Sequence, residues 1–116
     1  MDVTMYHNPR CSKSRETLKL LQDMNIRPKL VEYLKAPPSP DELERILKKL
    51  GKRPRDVIRR GEAPYKELGL DNPELDDRAL IEAMSANPIL IERPIVVAGP
   101  RAALGRPPEA VLELFR

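Results

Sequence analysis

The sequence predicts an α/β chain with a small mixed sheet, in the order β-α-β, a helical insertion, then β-β-α. Three observations predict it. Runs rich in β-branched and apolar residues stand at Val3–Tyr6, Lys29–Tyr33 and Ile95–Val97, which is the composition of strands. Apolar residues at helical spacing follow the first run and fill the middle of the chain. Prolines and glycines, 13 and 5 of the 116 residues, fall at the joins between these runs and mark the turns.

Taken in order, Val3–Tyr6 forms the first strand and Asn8-Pro9 ends it, since proline has no N–H and disfavours helical geometry in the residue before it. Leu18, Leu20, Leu21 and Met24 then mark a helix, begun by Cys11 or Ser12 as N-cap and stopped at Asn25. The strand Lys29–Tyr33 completes a βαβ unit, which sets the two strands parallel. Ala36–Pro40 is a stiff connector, and Ser39 or Asp41 caps the next helix, with Pro40 in its first turn. Leu43, Ile46, Leu47 and Leu50 form its buried face, and Gly51 ends it.

A short helix is predicted over Arg53–Arg60, with Val57 and Ile58 inward and Gly61 as terminator. A turn with one helical piece follows at Ala63–Leu70. The next helix is capped by Asp76 or Asp77, carries Leu80, Ile81 and Met84, and ends at Asn87-Pro88. From about 39 to 87 nothing reads as a strand, so this block is a helical insertion. Ile95–Val97 and Ala102–Leu104 make a hairpin across Ala98–Arg101. Glu109–Phe115 closes the chain as a helix with Val111, Leu112 and Leu114 inward. With no repeat and no linker, residues 1–116 read as one domain.

Composition narrows the function. No stretch of ~18 apolar residues crosses a membrane, and the N-terminus lacks the apolar core of a signal peptide. The expected location is cytoplasmic. The single cysteine forms no internal disulfide, in keeping with a reducing compartment. One cysteine and one histidine also make no zinc site of nitrogen and sulfur ligands, so no metal is expected. Net charge is +3, but 18 acidic residues are mixed among 21 basic ones and aromatics are 3%. That pattern is a solvated surface with a local basic site, not a nucleic-acid platform. The chain is read as a monomer.

The chemistry centres on Tyr6–Arg15, YHNPRCSKSR, which holds the lone Cys11 and the lone His7. Cys11 falls at a strand-to-helix turn. The first turn of a helix presents unpaired N–H groups and the positive end of its dipole. A thiolate is stabilised there and its pKa falls. Arg10, Lys13 and Arg15 add positive charge. The same features cradle an oxyanion. A cysteine that merely fills a core is common, but its flanks are apolar, and these are not.

This stretch, the RxxxR pair ending at Arg59, ERPIVV from Glu92 and GRPPE from Gly105 resemble the ArsC-type arsenate reductases of the glutaredoxin-coupled class. The resemblance runs from Val3 to Leu114 and implies a thioredoxin-like three-layer fold. It implies Cys11 as nucleophile with His7 lowering its pKa, and Ser14 bonding around the cysteine. It implies Arg59, Arg93 and Arg106 on the oxyanion, and Pro94 as a cis proline facing the cysteine. Arginine suits a tetrahedral oxyanion because its planar fork donates two hydrogen bonds. Arg55, Arg60, Arg78 and Arg101 have no such claim from the sequence.

The activity implied is reduction of arsenate to arsenite, with arsenate or a related oxyanion as substrate. With Cys11 alone, the next thiol comes from outside; glutathione, followed by glutaredoxin, meets that need. No bound cofactor is expected. The alternative is an Spx-like regulator that binds RNA polymerase without catalysis. Such proteins often carry a CxxC switch, where this chain has Cys11 and Ser14. A phosphatase-like reductase needs CxxxxxR, and position 17 is Thr.

Overall fold

The computed structural model describes residues 2–116. The chain divides into two compact units. One joins the segment up to Ala36 with Arg93–Arg116, and the other is Pro37–Glu92.

The first unit is built on a four-stranded mixed sheet. Its strands are β1 (Val3–Tyr6), β2 (Lys29–Val31), β3 (Ile95–Ala98) and β4 (Arg101–Leu104), ordered β2-β1-β3-β4. β1 and β2 are parallel, joined through α1 (Ser12–Asp23) as the βαβ pattern predicts. β1 pairs with β3 antiparallel, Met5 opposite Val96, and β3 turns back into β4. Gly99 takes φ 59 at the first position of the two-residue turn, a left-handed backbone that glycine adopts without steric cost.

Because side chains alternate along a strand, Met5, Val96 and Ala98 share one face. Leu21 of α1 and Val111 and Leu114 near the C-terminus pack on it as one buried cluster. Full burial of such a side chain is worth ~1.5–3 kcal/mol, so this cluster anchors α1 against the sheet. The buried face of α1 is Ser14, Thr17 and Leu21. Two of its three positions are hydroxyls, so leucine spacing alone misplaces it. Met24, counted in that stripe, is the C-cap residue and is exposed. β2 also ends sooner than expected, at Val31, while Tyr33 beyond it is buried.

The predicted closing helix is a 3-10 helix, Pro108–Phe115, with Pro108, Val111 and Leu114 buried. Leu112, expected inward, is only partly buried. A 3-10 helix turns every three residues, so positions i, i+3 and i+6 line up. In an α-helix the third would lie about 120° around from the first. The spacing of the apolar residues suits the tighter coil.

The second unit is mostly helical: α2 (Pro40–Leu50), α3 (Pro54–Val57), α4 (Ala63–Glu67), α5 (Asp77–Ala86) and a 3-10 turn at Pro88–Leu90. Ser39 accepts from the Glu42 amide at 3.1 Å and caps α2. Asp76 caps α5 by accepting from the Ala79 amide at 2.8 Å. Gly51 closes α2 in the left-handed region, φ 66. Leu43, Ile46 and Leu47 of α2 and Leu80, Ile81 and Met84 of α5 are all buried.

The predicted helix over Arg53–Arg60 stops at Val57. Ile58 forms an antiparallel bridge with Ile91, framed by Arg59 N–H to Leu90 C=O at 2.7 Å and Glu92 N–H to Val57 C=O at 2.9 Å. Isoleucine in an extended pair packs better than in a short helix, and so the unit holds one strand-like contact that periodicity does not reveal. Among the described residues no helix is long and apolar enough to cross a membrane.

Candidate active site

The site is assembled at the C-terminal end of β1. Asn8 shapes the turn with three bonds. Its carbonyl accepts the Cys11 amide at 3.0 Å, its side-chain oxygen accepts the Arg10 amide at 3.0 Å, and its own amide donates to Ser14 Oγ at 3.0 Å. Asparagine before proline readily forms such a side-chain turn. Cys11 is then the N-cap of α1, in extended geometry, and its carbonyl accepts the Arg15 amide.

Cys11 is buried, 9% exposed. Burial pushes its thiol up, but opposing groups win and the pKa lies below the ordinary thiol value. These are the Ser14 amide, the Arg93 side chain through both hydrogen bond and charge, and the Lys13 amide. The two amides belong to the first turn of α1, where N–H groups lack helical partners.

Arg106 is the second guanidinium at the sulfur. Its Nη2 stands 3.9 Å from Cys11 Sγ, and its Nε donates to the Arg93 carbonyl at 2.8 Å. Arg93 and Arg106 therefore both reach Cys11, and each also precedes a cis proline, Pro94 and Pro107. Gly105 lies between these features: a Cβ there would run into Thr17 Oγ1 and Pro94 Cγ, so only glycine lets the backbone before Arg106 pass.

His7 and Ser14 are both buried. His7 Nδ1 and Ser14 Oγ are 2.6 Å apart. Burial lowers the His7 pKa, Arg15 adding to the fall and Glu32 opposing it. Burial thus favours the neutral imidazole, and its hydrogen-bond partner among the described residues is Ser14. Ser14 ties His7, Asn8 and the first turn of α1 together.

Arg59 belongs to the second unit. Its guanidinium is held between Glu62 at 3.3 Å and Glu92 at 3.2 Å, and its buried Nε has no hydrogen-bond partner among the described residues. Two arginines without a predicted role have structural ones. Arg55 donates to the carbonyls of Leu70 and Asn72 at 3.0 and 2.6 Å. Arg101 donates to the Leu114 carbonyl at 2.7 Å. Arg78, by contrast, meets carboxylates of Asp41, Glu44 and Glu82 at 3.1–4.0 Å.

A thiolate ringed by amides and guanidinium groups can attack an electrophilic oxyanion while its charge is neutralised. Comparison with known proteins points the same way. The model of the ArsC family matches residues 6–114. A protein of Escherichia coli (strain K12), "Uncharacterized protein YfgD", is 52% identical over 97% of this chain and 95% of its own. An arsenate reductase of Haemophilus influenzae is 50% identical over 99% of this chain and all of its own. The solved structure of an arsenate reductase from Vibrio cholerae is 51% identical and superimposes with a TM-score of 0.95, covering 98% of each chain. On the family match and these identities, the chain belongs to the ArsC family.

Proposed function

We propose that this protein is an arsenate reductase that uses the Cys11 thiolate and external thiols. Arsenate docks against Arg93, Arg106 and the first turn of α1, and Arg59 is the third arginine that the family resemblance assigns to the oxyanion. The Cys11 sulfur attacks arsenic: an As–S bond forms, an As–O bond breaks, and the oxygen leaves as water or hydroxide. Taking As(V) to As(III) needs two electrons, which two thiols supply as they leave as one disulfide. Cys11 is the only cysteine of the chain, so turnover draws on thiols from outside. Glutathione is the first and glutaredoxin completes the exchange, after which arsenite leaves. No bound cofactor takes part, and the enzyme works as a cytoplasmic monomer.

The observation that carries this reading is the pair of guanidinium groups, Arg93 and Arg106, on one activated sulfur. Relatives about half identical in sequence bear the name arsenate reductase, which supports the substrate. The test is NADPH oxidation coupled through glutathione reductase, glutaredoxin and glutathione. Expected is oxidation that depends on arsenate and on Cys11. An inert protein across arsenate concentrations, with the thiolate intact by alkylation, overturns the reading.

A further inference from the structure

Beside the Cys11 turn lies a groove of about 320 Å³ lined by His7, Asn8, Pro9, Arg10, Glu32, Leu34 and Lys35. Its volume falls within the ~300–1,000 Å³ of small-ligand sites. One wall is the segment that runs directly into the nucleophile. The opposite wall, Glu32 to Lys35, follows β2.

We infer that this groove is the seat of the external peptide thiol, with its two carboxylates against Arg10 and Lys35 and its ammonium against Glu32. The inference rests on the arsenate-reductase reading and names the seat of its second substrate.

Charge is the first argument. In that reading Arg93 and Arg106 neutralise the oxyanion, so the carboxylates of a peptide thiol need cations of their own. Near the turn, Lys13 is paired with Glu16 and Arg15 donates to the Pro9 carbonyl. Arg10, exposed in the groove, has no side-chain partner among the described residues. Among the described residues Lys35 pairs with Glu32 alone, at 3.8 Å, with its own side chain 82% exposed. An exposed pair of that kind is worth ~0–1 kcal/mol and yields readily to a ligand carboxylate. Glu32 then meets the ammonium.

Shape is the second argument. Leu34 is 43% exposed and, with Pro9, offers an apolar floor between the charged ends. Three extended residues span about 10 Å, so a peptide anchored at both ends presents a central thiol over the groove. The wall formed by Asn8, Pro9 and Arg10 leads straight into Cys11, whose amide is bonded to the Asn8 carbonyl.

S-methylglutathione, which has no free thiol, probes binding apart from turnover. In an NMR titration of the full chain, amides of Arg10, Glu32, Leu34 and Lys35 should shift and saturate, and the shifts should fade in Lys35→Glu and in Arg10→Ala. In the coupled assay Lys35→Glu should raise the glutathione KM about three- to tenfold and leave the arsenate KM unmoved. With dithiothreitol, an uncharged reductant, the variant should match wild type. Arsenate reduction with an unchanged glutathione KM, or S-methylglutathione shifts that avoid the groove, overturns the assignment and leaves the enzyme reading intact. Wild-type protein that reduces no arsenate with either thiol sinks the enzyme reading itself, and the titration still decides the groove.

Discussion

The Cys11 sulfur is more strongly stabilised as an anion than its burial alone permits, because two amides and the Arg93 side chain act against desolvation. Two measurements follow. Alkylation rate against pH should place the thiol below the ~8.5 of a free cysteine; a value at or above it removes the activated nucleophile. An acid whose folded pKa is depressed also adds stability, fully present above the unfolded value. That gain is lost as pH falls through the folded value. Wild type should therefore gain stability over Cys11→Ser as pH rises toward ~8.5, while the serine variant stays folded and loses arsenate reduction. His7 has the same sign at lower pH. Its pKa is depressed by burial, so its contribution is complete above ~6.5 and drains away as pH falls through the folded value. In His7→Gln that acid-side slope should flatten in denaturant melts. Much of this neighbourhood is legible in the sequence, because the Asn8-Pro9 break and the helix start are local signals. The approach of Arg106 to Cys11, 95 residues apart, is not local, and only family resemblance points to it. Nor can spacing show that Arg55 and Arg101 tie down distant carbonyls.

At the scale of elements, strands and capped helices read well because their signals are short-range: alternation in β1 and β3, Ser39 before α2, Asp76 before α5. The misreadings have two causes, a contact made far along the chain and a period too short to measure. Ile58 leaves the helical period to pair with Ile91, and the last apolar residues follow a period of three, which a helical count over so few residues cannot separate from 3.6. The passage of β4 into Arg106 depends on a glycine in the same way. Gly105→Ala forces a methyl group against Thr17 and Pro94. Overpacking of this kind costs ~1–3 kcal/mol, visible as a lower Tm. Activity should fall further than stability does, because the displaced backbone carries Arg106. The cap offers a control with no such coupling. Ser39→Ala should cost about 1 kcal/mol and leave the kinetics of the remaining folded protein unchanged.

For the whole molecule, charge is the property that separates a general thiol protein from an oxyanion enzyme. Lysines and arginines number 21, and most of them meet carboxylates or solvent, so net charge says little about the substrate. Position says more. Arg93 and Arg106 face one sulfur, and replacing either by alanine removes a charge-assisted contact to bound anion. Such a contact is worth ~1.5–3 kcal/mol, so apparent arsenate affinity should weaken about ten- to a hundredfold. Lysine should rescue only in part at 106. It keeps the charge but cannot hold the Arg93 carbonyl through one nitrogen and reach Cys11 with another, as the guanidinium fork does. Arg59 is the demanding member of the set. Glu62 and Glu92 already engage it, and an anion must compete with both, so the loss in Arg59→Ala should lie near tenfold, the lower end of that range. Arg78 serves as control, since its partners are exposed carboxylates worth at most ~1 kcal/mol each. Arg78→Ala should leave arsenate affinity unchanged. If Arg59→Ala also behaves like Arg78→Ala while the other two lose affinity, the oxyanion is held by Arg93, Arg106 and the helix amides alone. If all four behave alike, the anion is not bound by arginine, and the sulfur serves some other electrophile.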